Sequence, residues 1–150
     1  MPIPHSCSCF NSVPSGRPAA RRLPDPHIES TGIRVDMACA GMRLCRLDDI
    51  PDGDSRGFDP LDQGHDTMLV VRQGTTLYAW RDACPHISGV PMAWRKNAYL
   101  NANRDRIVCS AHGALFDIAT GICTLGPCLG QSLEPMTVQL DADGSVYWRC

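Results

Sequence analysis

The sequence predicts an all-β domain over residues 42–150, built from small antiparallel sheets, with an extension over residues 1–41 outside it. Three observations carry this. Short apolar stretches in the C-terminal part alternate with a period of two, as half-buried strands do. Turn residues interrupt them often, at Gln73-Gly74, Ala119-Thr120-Gly121 and Asp141-Ala142-Asp143-Gly144. Apolar spacing of the helical kind is scarce, and many short strands with frequent turns indicate an all-β architecture.

Residues 1–37 hold six of the 12 prolines, mixed with Ser, Gly and Arg. Such a segment buries too little surface to offset its ordering entropy. It reads as a disordered extension, or as sequence ahead of the true start, because Met37 and Met42 are alternative starts. His5, Cys7 and Cys9 could suggest a metal, but in such a tail their proximity is read as chance.

Taken in order, Met42–Leu47 alternates as a strand and 48–53 turns. Residues 56–59 make a short second strand, and Thr67–Arg72 a stronger one. Gln73-Gly74 reverses the chain into Thr75–Trp80, which runs directly to Cys84. Residues 92–103 are expected to form a surface excursion with a short helical turn. Trp94 and Tyr99 should anchor it while Arg95 and Lys96 stay solvated, since loops that carry function still need anchors. The competing reading makes Trp94, Arg95 and Lys96 a docking patch for a partner. Arg106–Cys109 and Ala114–Asp117 flank a second loop, and Met136–Leu140 with Ser145–Trp148 make a terminal hairpin.

The formal charge of −2 gives no reason to expect nucleic-acid binding, which favours a clearly basic domain. No stretch approaches the roughly 20 apolar residues of a membrane helix, so no membrane partner is expected. The N-terminus lacks the apolar segment of a secretory signal. Arg21-Arg22 is followed by Leu-Pro-Asp-Pro-His rather than an apolar run, which argues against export. A cytoplasmic, reducing compartment is therefore expected.

The chemistry concentrates in Cys84-Pro85-His86 and Cys109-Ser110-Ala111-His112. Alone, Cys84 could be a buried thiol and either His an ordinary histidine. Paired as C-x-H and C-x-x-H, each motif lets one tight loop present a thiolate and an imidazole. Two Cys and two His are the ligand count of a [2Fe–2S] cluster with Cys on one iron and His on the other. Zinc also accepts Cys₂His₂, but zinc fingers usually pair like with like, whereas here each pair is mixed.

This pattern is similar to that of the Rieske iron–sulfur family, and the resemblance covers roughly residues 42–150. It implies one cluster held by Cys84, His86, Cys109 and His112, with the Cys buried and the His at the exposed edge. It also implies that a third, proline-bearing loop, here Gly126-Pro127, covers the cluster. The connection 87–108 is longer than in most ferredoxins of the family. High-potential relatives join their ligand loops by a disulfide; the matching positions are Gly89 and Ala111, which cannot form it. Ala114 stands where those relatives carry a Ser that donates to the cluster. The resemblance thus points to the ferredoxin and oxygenase branch, with a potential of about −150 to 0 mV.

Seven of the nine cysteines remain: Cys7, Cys9, Cys39, Cys45, Cys123, Cys128 and Cys150. An odd remainder does not suggest a disulfide framework. Cys123 and Cys128 flank the cover loop; a disulfide or a second metal between them is set aside in favour of two unpaired thiols, because the compartment is expected to be reducing.

The resemblance implies a one-electron carrier and not an enzyme on its own. An oxygenase needs a second iron site of two His and one carboxylate. His5, His27 and His65 form no such arrangement. Its partners would be a flavin reductase as donor and an oxygenase or related enzyme as acceptor. A small accessory subunit of a nitrite reductase-like enzyme and a non-redox zinc protein remain as alternatives.

Overall fold

The computed structural model describes residues 41–149. The expectations for His5, Cys7, Cys9, Arg21-Arg22, His27, Met37, Cys39 and Cys150 lie outside that range.

Nine strands form three antiparallel sheets of three. The first joins β1 (Met42–Arg46), β9 (Ser145–Arg149) and β8 (Thr137–Leu140) in the order β1-β9-β8. The second joins β2 (Ser55–Phe58), β3 (Met68–Gln73) and β4 (Thr76–Arg81) in sequence order. The third joins β5 (Arg106–Val108), β6 (Leu115–Asp117) and β7 (Cys123–Leu125), also in sequence order. The expected strands are all found, shifted by a residue or two. A short 3-10 turn at Leu47–Asp49 opens the reversal between β1 and β2.

Strand β3 is the middle layer, and its sequence shows why. Met68, Leu69, Val70 and Val71 are all fully buried. Successive strand side chains point to opposite faces. Met68 and Val70 therefore enter a core with Cys45, Ile50, Ala79 and Val146, packed against the β1-β9-β8 sheet. Leu69 and Val71 enter a second core with Trp80, Cys84, Met92, Tyr99, Ile107, Cys109 and Phe116. A strand covered on both faces reads as an unbroken apolar run. Backbone bonds from Arg81 N to Glu134 O (2.9 Å) and Met136 N to Ala79 O (2.9 Å) tie β4 to the approach of β8.

The segment 92–103 departs from the expected surface excursion in two ways. It contains no helical turn. Met92 and Tyr99 are fully buried members of the second core, so two anchors hold it. Trp94 is not one of them: its side chain is 72% exposed. The indole faces solvent beside Arg95 and Lys96, which are also exposed.

Candidate metal centre

Strand β4 aims the first loop. Beyond Arg81, Asp82 N donates to Thr67 O (2.9 Å), and Cys84 N donates to Val90 O (2.9 Å), closing the loop. Gly89 sits at φ +80° within it, a left-handed conformation that glycine takes without strain. Strands β5 and β6 frame the second loop. Cys109 N donates to Ala114 O (2.9 Å) and Gly113 N to Cys109 O (2.8 Å).

Residues of the 92–103 segment hold the two loops in register. Met92 N donates to Asp82 Oδ1 (2.6 Å), beside the first loop. Ser110 N, in the second loop, donates to Met92 O (2.8 Å). Tyr99 O accepts from Val108 N (2.8 Å), and its hydroxyl donates to Asp82 Oδ2 (3.1 Å) and lies 3.4 Å from Asp66 Oδ2. Burial raises the Asp82 carboxyl above its ordinary value, and the Met92 N–H and Tyr99 hydroxyl pull it back. Burial and the neighbouring Asp82 and Asp66 carboxylates push the Tyr99 phenol up, so it remains a donor. Sequence reasoning found the anchor at Tyr99 but not this link through Asp82. Nothing local distinguishes Asp82 from a solvated turn residue.

Of the four expected ligands, Cys84 and His86 sit together on the first loop, His112 reaches His86 from the second, and Cys109 lies in the same core as Cys84. Cys84 and Cys109 are buried, His86 is half-buried and His112 is exposed. His86 Nδ1 lies 2.6 Å from Cys84 Sγ, and His86 Nε2 lies 2.7 Å from His112 Nδ1. The two imidazoles meet edge to face, with centroids 4.5 Å apart. Burial pushes the Cys84 thiol up, the His86 backbone N–H lowers it, and the neighbouring Cys109 raises it again. A thiol so placed keeps its proton until a metal cation displaces it, because the thiolate is the metal-binding form.

The third loop closes over this centre. Gly126 packs so tightly on Ala114 that an added Cβ would lie 2.8 Å from Ala114 Cα. Ala114 is fully buried there. Under the loop, Cys128 Sγ donates to Cys123 Sγ at 3.1 Å, and both thiols are buried. Cys128 Sγ also groups with Cys84 Sγ and a His86 ring nitrogen, all within 4.8 Å of one another. Sequence reasoning singled out Cys123 and Cys128 but did not place Cys128 against the first loop. The loop closes only in three dimensions, so spacing alone gave no such signal.

Three loops converging on two buried thiols and two imidazoles invite comparison with known proteins. The sequence profile of the Rieske [2Fe-2S] domain matches residues 41–140. The chain belongs to the Rieske [2Fe-2S] domain family. No curated protein sequence matches it significantly. Among solved structures, it is similar to the ferredoxin of carbazole 1,9a-dioxygenase from Nocardioides aromaticivorans IC177. The identity is 26% and the TM-score 0.56, covering 73% of this chain and 96% of that one. A complex of reduced oxygenase and oxidized ferredoxin in carbazole 1,9a-dioxygenase also matches. It shows 26% identity and a TM-score of 0.56, over 73% of this chain and 92% of that one. The Sphingomonas yanoikuyae B1 ferredoxin shares the fold at 21% identity, with a TM-score of 0.54, over 73% and 98% of the two chains. As a Rieske domain, the chain takes a [2Fe–2S] cluster. No helix among the described residues is long and apolar enough to cross a membrane.

Proposed function

We propose that this Rieske domain is a one-electron carrier whose cluster is held by Cys84, Cys109, His86 and His112. It would take electrons from a flavin reductase and deliver them to an oxygenase. The reading rests on one observation: two adjacent loops carry two buried thiols and two less buried imidazoles, the imidazoles in contact with each other. That donor set fits a cluster with Cys on one iron and His on the other. When bound, the cluster supplies a one-electron couple, and replacing two thiolates by neutral imidazoles raises its potential above that of all-Cys ferredoxins.

The protein residues have separate tasks. Cys84 and Cys109 exclude water from the sulfur side. His86 and His112 provide the exposed edge by which an electron can pass to a partner. Met92, Asp82 and Tyr99 keep the two loops in register, so that reorganisation on electron transfer is small. Substrate oxidation belongs to a separate chain in this reading. Support for an oxygenase acceptor comes from the carbazole dioxygenase ferredoxins, whose fold and length the described domain shares.

Anaerobic purification, iron and sulfide analysis, and redox titration test this. Two irons per chain and a potential between about −150 and 0 mV support the reading. Cys84→Ser, Cys109→Ser, His86→Ala and His112→Ala should each lose the cluster, while Cys128→Ala should keep two irons. If Cys128→Ala loses iron as completely as Cys84→Ser, the ligand set is instead built on Cys84, His86 and Cys128. Colourless protein containing zinc after iron-replete expression overturns the electron-carrier reading.

A further inference from the structure

The two cysteines of the cover loop have no part in the four-ligand set. Cys123 and Cys128 are five positions apart, and both thiols are buried. Their sulfurs are 3.1 Å apart, about 1 Å beyond the length of a disulfide bond. The backbone holds them there. Cys123 N donates to Gln131 O (2.7 Å), Gly130 N to Cys123 O (3.0 Å), and Gln131 N to Cys128 O (2.9 Å). Closing the remaining gap therefore needs side-chain rotation and a small loop adjustment, not refolding.

We propose that Cys123 and Cys128 are a redox-active dithiol, a modification site that closes reversibly to a disulfide across the cover loop. The oxidant is a low-molecular-weight disulfide. One protein thiolate attacks it, breaking the reagent's S–S bond and releasing one small thiol. The second protein sulfur then attacks the mixed disulfide, forming the Cys123–Cys128 bond and releasing the second small thiol. The protein loses two electrons and two protons, and the reagent is reduced to two thiols. The protein's metal centre takes no part in this exchange.

Access comes through the loop itself. Residues 124–127 and 129–130 are exposed, with Leu125 and Leu129 59% and 68% accessible. Exposed residues on both sides of Cys128 make this loop the route by which a small reagent reaches the pair. In the reduced state, the Cys128 S–H bridges to Cys123, while the Cys123 S–H donates to Leu125 O at 3.3 Å. The disulfide removes both hydrogens and fastens the loop at a point beside Cys84. Hydrogen bonding around cluster sulfur sets the potential of such centres. The proposal of a disulfide stands on the thiol geometry alone. Its effect on potential rests on the ligand assignment above.

The test treats the native, cluster-loaded protein anaerobically with oxidised glutathione. Remaining thiols are then alkylated, and peptide 107–149, which contains Cys109, Cys123 and Cys128, is sequenced by tandem mass spectrometry. The expected product carries one intramolecular bond between 123 and 128, is lighter by two hydrogens, and reverts with dithiothreitol. Cys123→Ala and Cys128→Ala should each abolish it while retaining two irons. Two alkylated thiols at 123 and 128 after treatment, with the same peptide oxidising once denatured, would overturn the proposal. So would a bond from either residue to Cys84 or Cys109, with loss of iron. A disulfide that forms without changing the cluster potential keeps the modification site and overturns only its coupling to the centre.

Discussion

Replacing Tyr99 by Phe removes one oxygen from a fully buried position and leaves the ring's packing in place. That oxygen is the donor 3.1 Å from Asp82 Oδ2. The other Asp82 oxygen keeps its bond from Met92 N. A hydrogen bond to a charged group is worth about 1.5–3 kcal/mol, and a neutral one about 0.5–1.5 kcal/mol. The loss should therefore depend on whether Asp82 is ionised. Burial already raises the Asp82 carboxyl, and the Tyr99 hydroxyl opposes that rise. Removing the hydroxyl raises it further. An acid raised by folding costs stability as pH climbs through its folded value, because the unfolded chain ionises first. The deficit of the Phe variant should thus grow with pH, from a smaller value at the ordinary carboxylate value, about pH 4, to about 2 kcal/mol near pH 8. Urea midpoints of loaded wild type and variant, taken anaerobically at both pH values with matching slopes, measure it. A deficit below about 0.5 kcal/mol at the higher pH, or one unchanged between the two, would refute the role given to the Tyr99–Asp82 bond.

Gly126→Ala places a methyl group against Ala114 at a backbone φ of +115°, so it should cost about 1–3 kcal/mol and speed the release of iron to a chelator. A melting temperature and release rate equal to wild type would remove the cover loop from the site's support. Leu69→Ala opens a cavity in the core beneath the ligand loops and should cost about 2–5 kcal/mol, whereas Leu129→Ala, 68% exposed, should stay within about 0.5 kcal/mol. Chemical denaturation ranks the two directly. Asp117 accepts from Thr120 N and Oγ1 (2.9 Å each) and Ala119 N (3.1 Å), and bonds to Thr120 hold its carboxyl below the ordinary value. Its contribution is present above the ordinary carboxylate range and is lost as pH falls through the lowered folded value. Asp117→Asn should therefore flatten the acid limb of the stability profile, seen in melts from pH 7 down to about 3.

The sequence carried the fold class, eight of the nine strands and the two candidate ligand motifs; β7 was read only as part of the cover-loop segment. These features are local: period-two alternation, turn residues, and a Cys and a His close enough to share one loop. Met68–Val71 reads as a strong strand because burial on both faces leaves no polar positions to interrupt it. The tertiary structure decided what is joined through space. It placed Met92 between Asp82 and Ser110, Tyr99 beneath the first loop, and Cys128 against Cys84. It also left Trp94 in solvent while its neighbours in the segment became anchors. A Trp and a Tyr five residues apart carry the same apolar signal in the sequence. Which one is buried depends on which side of the segment the core lies, and that side is fixed by strands from distant parts of the chain.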